Sequence, residues 1–291
     1  MKQSDDYEKH LKQHYQRPHL SDIISKALKD AGKTVTSYKD TAALDEFHIR
    51  GREATRELAR LADLTPGTAV LDLGCALGGP ARLLAAEFDC RVTGLDVMEE
   101  YIEAAEMLTR MAGLAERVTF RAGNMLEMPF DDESFDAVWS QHTFMNIEDK
   151  AHLFGEIRRV LRPGGRLIFY EVMSGGHSPI HYPVQWASDA SIDFLVPEEQ
   201  MIHRIEDAGF EKIHWQDVSA VCSAWFQSVV ERMGKRSRDA PPPVALNLVI
   251  GRTTAEKAKN TTRNLKEDRI RVVYGVFKGG MAGSTGSVPT N

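Results

Sequence analysis

The sequence has few cysteines, no long apolar run and no excess of positive charge. Its three cysteines, Cys75, Cys90 and Cys222, are too scattered for a disulfide framework or a Cys-x-x-Cys metal site, so we expect reduced thiols and no metal. No stretch approaches the roughly 18 consecutive apolar residues of a membrane span, and the charged, histidine-rich N-terminus is unlike a signal peptide. These absences predict a soluble, cytoplasmic protein without a membrane partner.

The formal net charge of −6 argues against the basic surface with which proteins bind nucleic acid, so we expect no nucleic-acid partner. A chain of 291 residues, 42% of them hydrophobic, is long enough for one large α/β domain with additions. The sequence contains no internal repeats, so a single core is the expected organisation.

The most informative stretch is residues 69–82, in which an apolar strand turns at once into a glycine-bearing loop and a helix. Gly74 suits the sharp turn, and Gly78 and Gly79 let the backbone approach a ligand closely. Pro80 suits the first helical position, where its missing N–H is no loss. Taken alone, such a loop is also compatible with a simple strand-to-helix turn.

The next strand, residues 91–97, carries Asp96 about twenty positions after the loop, where a carboxylate can accept hydrogen bonds from both ribose hydroxyls. Enzymes that bind a dinucleotide also carry an acidic residue at this position. Here, however, Asp72 precedes the glycines, and the spacing is not Gly-x-Gly-x-x-Gly. The pattern therefore favours a nucleoside-containing ligand other than a dinucleotide.

Strands and helices alternate along the chain, which predicts right-handed crossovers and a mainly parallel sheet that binds ligands at the carboxyl ends of its strands. We expect strands near 68–74, 90–97, 117–123, 135–141, 165–172, 212–218 and 270–277, and helices near 20–31, 79–88, 99–113, 149–161, 197–209, 223–234 and 254–267.

Five motifs follow one another in a fixed order. They are Val-Leu-Asp-Leu-Gly-Cys-x-x-Gly-Gly-Pro from 70, Gly-Leu-Asp from 94, Ala-Gly-Asn-Met from 122, Phe-Asp-Ala-Val-Trp-Ser-Gln from 135 and Leu-Arg-Pro-Gly-Gly-Arg-Leu from 161. This set, within residues 45–220, resembles the class I S-adenosylmethionine-dependent methyltransferases. It is most similar to the small-molecule branch, which includes sarcosine and glycine-betaine, tocopherol and natural-product methyltransferases.

The resemblance implies an α/β fold: a Rossmann-like, seven-stranded, mostly parallel sheet with helices on both faces and an N-terminal helical lid. The strand at 270–277 would be its antiparallel hairpin partner. We divide the chain into an N-terminal lid or oligomerisation segment at 1–44, a methyltransferase domain at 45–278 and a disordered tail at 279–291.

The resemblance also implies S-adenosyl-L-methionine as the cofactor. Two residues depart from the family pattern. Ala76 replaces a loop glycine and needs only a negative φ to fit, and Asn124 replaces an acid but can still accept from the adenine amino group. The cofactor-binding residues implied are Asp72, Gly74, Cys75, Gly78, Gly79, Asp96, Val97, Asn124, Met125, Gln141 and His48.

Gln141 ends the fourth predicted strand and His142 follows it, and these two are the predicted catalytic residues. Histidine is the side chain whose ordinary pKa best suits a base near neutral pH. A packing role is an equally good interpretation of His142, and His48 is equally compatible with packing as with ligand contact. A carbon or already deprotonated amine nucleophile would need less help from a base.

Two segments are expected to enclose the substrate. Leu20, Ile23, Ile24, Ala27, Leu28 and Ala31 form an amphipathic stripe that must be buried against the site or another subunit, which makes a homo-oligomer possible. The roughly 25 residues after the fifth strand are longer than an ordinary loop. The predicted substrate residues, each of which also has a structural interpretation, are Tyr15, Phe47, Glu171, His177, Tyr182 and Trp186.

The predicted function is therefore methyl transfer to the carbon, nitrogen or oxygen of a small organic metabolite. Two alternatives remain: a non-catalytic S-adenosylmethionine-binding regulatory module, or a nucleic-acid or protein methyltransferase. Methylation of nucleic-acid amino groups is disfavoured because residues 139–146 lack the acidic-or-Asn, Pro, Pro, aromatic run with which enzymes of that kind bind a flipped base.

Overall fold

The computed structural model describes residues 5–234, 244–250 and 253–280. Seven strands of these ranges form one sheet in the order β3-β2-β1-β4-β5-β7-β6. The first five strands pair in parallel, and β7 is antiparallel to both β5 and β6, as predicted. The strands are β1 (Ala69–Leu73), β2 (Arg91–Asp96), β3 (Val118–Ala122), β4 (Phe135–Gln141), β5 (Leu161–Ser174), β6 (Phe210–Asp217) and β7 (Ile270–Gly279).

The predicted helices are all present within a few residues of their expected bounds, and further helices occur at the N-terminus and before the last strand. Gly279, where we had expected the disordered tail to begin, is the last residue of β7, and the tail from residue 281 onward lies outside the described residues. The helices are α1 (Asp5–Tyr15), α2 (Leu20–Asp30), α3 (Ala42–Asp45), α4 (Arg52–Leu61), α5 (Gly79–Glu87), α6 (Glu99–Met111), α7 (Lys150–Val160), α8 (Glu198–Asp207), α9 (Ser219–Gly234), α10 (Asn247–Ile250) and α11 (Thr254–Lys266).

Successive strand residues point to opposite sides of the sheet, and helices bury both of its faces. Val70 and Trp139 belong to a core cluster that includes residues of α4, α5, α9 and α11. Leu71 and Val138 belong to the opposite cluster, with residues of α7 and α8. This two-sided burial explains why the central strands β1, β4 and β5 are mainly apolar, and it confirms the predicted helices on both faces.

The N-terminal stripe is narrower than predicted. Leu20, Ile24 and Leu28 are buried against α6 in a third cluster, whereas Ile23 is 42% exposed and Ala31 is also exposed. The buried positions follow a single i, i+4, i+8 ridge, which is the row of side chains that a packed helix presents to its neighbour. This part of the stripe is therefore covered within the chain.

No helix of the described ranges combines the length and apolar character of a membrane span. Within the same ranges, no three His, Cys, Asp or Glu side chains are grouped so as to hold a metal ion.

Candidate active site

The loop after β1 is shaped by packing against the protein itself. A Cβ atom on Gly78 would lie 2.5 Å from the Phe120 ring, and one on Gly79 would lie 2.4 Å from the main-chain oxygen of Asp45. Both glycines are buried and do not line the cavity described below. They therefore make room for neighbouring protein groups, where we had expected room for a ligand.

Ala76 adopts a φ of +45°, so the expected negative φ was wrong. The left-handed region costs a residue with a Cβ about 1 kcal/mol or more. The conformation directs the Ala76 N–H to Oδ2 of Asp96, at 3.0 Å, and this hydrogen bond offsets part of that cost. The loop is thereby fastened to the end of β2.

Asp96 is poised to accept hydrogen bonds at the end of β2. Its Oδ1 accepts from the Met98 N–H at 3.0 Å, while Oδ2 accepts from Ala76. Burial raises the pKa of Asp96 to about 6, although the backbone N–H donors oppose that shift. The side chain is therefore mainly a carboxylate at neutral pH.

One cavity of about 410 Å³ extends from the carboxyl ends of β1, β2 and β4 to an apolar chamber. Seven of the predicted cofactor-binding residues line it: His48, Gly74, Asp96, Val97, Asn124, Met125 and Gln141. The lining also includes Ala76, Met98, Tyr101, Gly123 and Thr143, which were not among the predicted cofactor-binding residues.

Asp72 of β1, Cys75 and Gly78 of the loop and Gly79 of α5 are buried and do not line the cavity. Burial, and then the nearby Asp96, raise the pKa of Asp72 to about 8. Oδ2 of Asp72 is buried and has no hydrogen-bond partner within the described chain. Asn124 uses its Oδ1 to accept from the Leu126 N–H at 2.9 Å, and so stabilises its own turn.

Gln141 presents an amide whose donor is not used by the protein. Its Oε1 accepts from the Thr55 hydroxyl at 3.2 Å, whereas its buried Nε2 lacks a partner among the residues described. His48 lies beside this pair, with its Nε2 3.0 Å from the Gly51 oxygen and 3.0 Å from the Thr55 hydroxyl. Burial lowers the pKa of His48 to about 4, so the ring is neutral.

Both ring nitrogens of His142 are occupied by the backbone. Nδ1 lies 2.9 Å from the oxygen of Tyr170, which can only accept, so Nδ1 carries the hydrogen. Nε2 then accepts from the Ile49 N–H at 3.3 Å. Burial, with the neighbouring His48, lowers the pKa of His142 to about 3. In this arrangement His142 connects β5 to the segment before α4.

The far end of the cavity is mostly apolar and is closed by α1, α9, α10, α11 and the loop after β5. The Tyr15 hydroxyl donates to Oδ1 of Asn146 at 2.8 Å, and Nδ2 of Asn146 donates to the Ile192 oxygen at 2.7 Å. Asn146 thus joins α1 to the loop, while Asp149 caps α7. The apolar lining includes Leu11, Tyr15, Phe47, Met145, Ile147, Trp186, Trp225, Phe226 and Val249.

Three predicted substrate residues lie away from the cavity. Glu171 is buried, and its Oε1 accepts from the N–H groups of Thr143 and Phe144, at 2.6 and 2.9 Å. His177 is exposed, and the Tyr182 hydroxyl donates to Asp193 at 2.6 Å. Tyr15, Phe47 and Trp186 do line the cavity.

Sequence analysis missed several polar residues of the lining. Glu46 is one: burial, and then the charge of Asp45, raise its pKa well above the ordinary value. The unpredicted lining also includes Lys12, His14, Arg17, Asn146, Gln185, Thr254 and Lys257. Lys257 had a detectable signal, because it lies on the buried stripe of α11 with Ala258, Thr261, Asn264 and Leu265, where a charged residue is uncommon.

These residues fit an S-adenosyl nucleoside with an amino-acid end. Asp96 supplies a carboxylate for hydroxyl groups, and the unpaired Nε2 of Gln141 supplies a donor at the end of β4. A buried donor without a partner is costly, so a ligand acceptor would satisfy it.

Comparisons with known proteins identify the family of the chain. The Methyltransferase domain family matches residues 71–169. The 27-O-demethylrifamycin SV methyltransferase of Amycolatopsis mediterranei (strain S699) is 30% identical over 197 residues, which cover 66% of this chain and 71% of the relative. Methyltransferase GfsG of Streptomyces halstedii is 33% identical over 139 residues, which cover 48% of this chain and 50% of the relative.

Among solved structures, the [4+2]-cyclase SpnF superposes with a TM-score of 0.66 at 22% identity, covering 90% of this chain and 94% of that one. This likeness confirms the fold alone. The chain spans half or less of the length of GfsG and of two further curated relatives that it matches. The rifamycin relative is 30% identical to this chain across 71% of its own length. The chain therefore belongs to the class I S-adenosylmethionine-dependent methyltransferases, whose cofactor is S-adenosylmethionine.

Proposed function

We propose that the protein transfers a methyl group from S-adenosylmethionine to a small organic metabolite held in the apolar part of the cavity. The observation that carries this proposal is the continuity of that cavity. Asp96 and Gln141 lie at its strand-end side, and Trp186 and Phe226 line its apolar chamber. A single space can therefore hold both reactants next to each other.

When bound, the cofactor supplies an activated methyl group on a sulfonium sulfur. The residues of this chain then have to hold an acceptor in line and exclude water, and positioning of this kind supplies much of the rate enhancement. The lining is suited to that task, because apolar or aromatic side chains of α1, α9 and α11 close much of it: Leu11, Tyr15, Trp225, Phe226 and Ala258.

The polar edge near β4 is neutral, which suits the loss of positive charge in methyl transfer. His48 and His142 both have lowered pKa values and are uncharged near pH 7. A strongly anionic pocket would stabilise the sulfonium reactant more than the transition state. We propose Gln141 as a residue that orients the reactants. A base role for His142 requires Ile49 to release Nε2 first.

The acceptor atom is carbon, nitrogen or oxygen, and we propose a natural-product or amine-type acceptor. The relative from Amycolatopsis is named for 27-O-demethylrifamycin SV, and another curated relative for glycine, sarcosine and dimethylglycine. These names support a small acceptor and leave its identity to experiment.

We further propose that residues 1–44 cover the substrate chamber, that the protein is cytoplasmic and that it binds no nucleic acid. The contacts of Leu11 and Tyr15 with the cavity support the first proposal. The buried, unpaired thiols of Cys75, Cys90 and Cys222 support the second, and the net charge of −6 supports the third. A homo-oligomer through α2 would use the exposed Ile23.

The experiment is a screen with cofactor labelled in its methyl group. The protein is incubated with small-metabolite extract, RNA, DNA or protein, and the label is followed into each fraction. We expect label only in low-molecular-mass organic compounds. Label confined to a macromolecule would contradict the proposal. Bound cofactor without any transfer in the screen would favour a non-catalytic module.

A further inference from the structure

Lys257 is a buried lysine on the wall of the acceptor chamber. It lies in the first turns of α11 and is 4% exposed. It also lines the same cavity as Trp186 and Phe226. Lysine is almost never fully buried unless its ammonium group is paired.

The protein does not supply a hydrogen-bond acceptor for this ammonium group within the described ranges. Among the described residues, the Nζ atom of Lys257 contacts Nε2 of His14, at 3.5 Å. That nitrogen lies 2.9 Å from the main-chain oxygen of Gln185, which can only accept, so Nε2 carries a hydrogen. Nδ1 of His14 then accepts from the Ser188 hydroxyl at 3.1 Å. No lone pair of His14 is therefore directed at Lys257.

Among the described residues, Arg17 places a second positive charge near Lys257. Arg17 and Lys12 line the same cavity, and Nε of Arg17 donates to the Val249 oxygen at 2.6 Å. Burial, and then Arg17, lower the pKa of Lys257 to about 8, so the ammonium form still dominates at pH 7. Burial, followed by Lys257, lowers the pKa of His14 to about 4 and keeps that ring neutral, although Asp189 opposes this shift.

We infer that the methyl acceptor carries an anionic group, a carboxylate or a phosphate, that binds Lys257 while its apolar part lies between Trp186 and Phe226. An anion would supply the acceptor that the buried ammonium lacks, and charge-assisted hydrogen bonds of this kind are strong. The inference rests on the proposed function, because it names the chemical class of the substrate in the same cavity.

The test compares three probes with the same octyl chain: octyl phosphate, octanoate and 1-octanol. Each is titrated at pH 7 into protein saturated with S-adenosylhomocysteine, and binding is followed by the fluorescence of Trp186 and Trp225, which line the cavity. We expect one or both anions to bind about tenfold or more tightly than the alcohol. The phosphate and octanoate titrations separate the two kinds of anion.

Lys257→Met keeps the length of the side chain and removes its charge, so it should abolish the preference for the anion. Lys257→Arg should retain most of it, and Lys259→Met, on the exposed side of α11, should retain all of it. Unchanged affinity for S-adenosylhomocysteine shows that each variant is folded.

Three results would overturn the inference: equal affinity of the wild type for anions and alcohol, no binding of any probe, or an anion preference that survives in Lys257→Met. Each of these results is independent of catalysis. If the screen shows methyl transfer to a small molecule but the probe titrations show no preference for anions, this inference fails and the proposed function stands. If the titrations show a preference for anions but the screen shows no methyl transfer, the proposed function fails and Lys257 remains an anion-binding residue.

Discussion

Asp45 and Arg82 form an ion pair that has no exposed side-chain surface, with Oδ2 of Asp45 2.6 Å from Nη2 of Arg82. The guanidinium also donates to the Leu77 oxygen and to the Thr109 hydroxyl, at 2.6 and 2.8 Å. Asp45 directly precedes the segment that brings Glu46 to Ile49 into the cavity. The pair therefore fixes this segment to α5 and α6.

Removing either partner of this pair should destabilise the protein strongly, because the remaining charge would be buried without compensation. We expect Asp45→Asn and Arg82→Met each to lower the free energy of unfolding by about 3–5 kcal/mol. The measurement is chemical denaturation followed by circular dichroism.

The control is Asp30→Asn, which breaks the exposed pair of Lys26 and Asp30. A surface pair of this kind contributes less than about 1 kcal/mol. Equal effects of Asp45→Asn and Asp30→Asn would show that the buried pair does not hold the segment.

Cofactor affinity should fall in acid through Asp96. The carboxylate form is needed to accept from ribose hydroxyls, and the pKa of Asp96 in the ligand-free protein is about 6. Affinity should therefore be nearly constant above pH 7 and decrease as the pH falls through 6, to about one tenth at pH 5. Calorimetric titration with S-adenosylhomocysteine measures this.

Asp96→Asn should bind more weakly by on the order of 2–4 kcal/mol at pH 7.5, and its affinity should no longer change between pH 5 and 7. If the variant shows the same decrease in acid as the wild type, another group is responsible. Wild-type affinity in a folded variant would remove Asp96 from the cofactor site.

Deletion of residues 1–19 should reduce methyl transfer while leaving cofactor affinity within about threefold. Leu11 and Tyr15 of α1 line the acceptor chamber, whereas the predicted ribose and methionine contacts are at the strand ends. Parallel measurements of labelled methyl transfer and S-adenosylhomocysteine binding separate the two effects. Unaltered transfer would mean that α1 does not enclose the acceptor, and light scattering would show whether the mass has changed.

His142 should support activity through its hydrogen bonds to Tyr170 and Ile49, and its ring should not change protonation near neutral pH. Its Nδ1 donates to Tyr170 and its pKa is lowered to about 3, so the pH–rate profile should lack a limb due to His142 between pH 6 and 7. His142→Asn, which retains a donor, should keep more activity than His142→Ala. A wild-type limb near pH 6.5 that disappears in His142→Asn would instead identify His142 as the base.

The fold and the strand-end motifs could be predicted from the sequence, because both depend on local patterns. The apolar strands, the position of Asp96 and the placement of Gln141 at the end of β4 follow from spacing alone. The φ of +45° at Ala76 and the contact of Gly79 with Asp45 could not be predicted in this way, since they depend on packing between distant segments.

The acceptor chamber was the least predictable part of the site. Trp186 lines it and Tyr182 does not, although both belong to one irregular loop whose course is set by long-range contacts. Lys257 and His14 are separated by most of the chain and meet only through tertiary packing of α1 on the loop and α11. The sequence signal for this site was a charged residue on the same face of α11 as Ala258 and Leu265.

Methyl transfer is tested most directly by comparing the amount of S-adenosylhomocysteine formed with the amount of methylated small molecule, in one reaction, by mass spectrometry. We predict equal amounts, with the product gaining the mass of one methylene group, and loss of both signals in Asp96→Ala. A small molecule that is altered without consumption of the cofactor, or label that enters only a macromolecule, would contradict the assignment of this protein as a small-molecule methyltransferase.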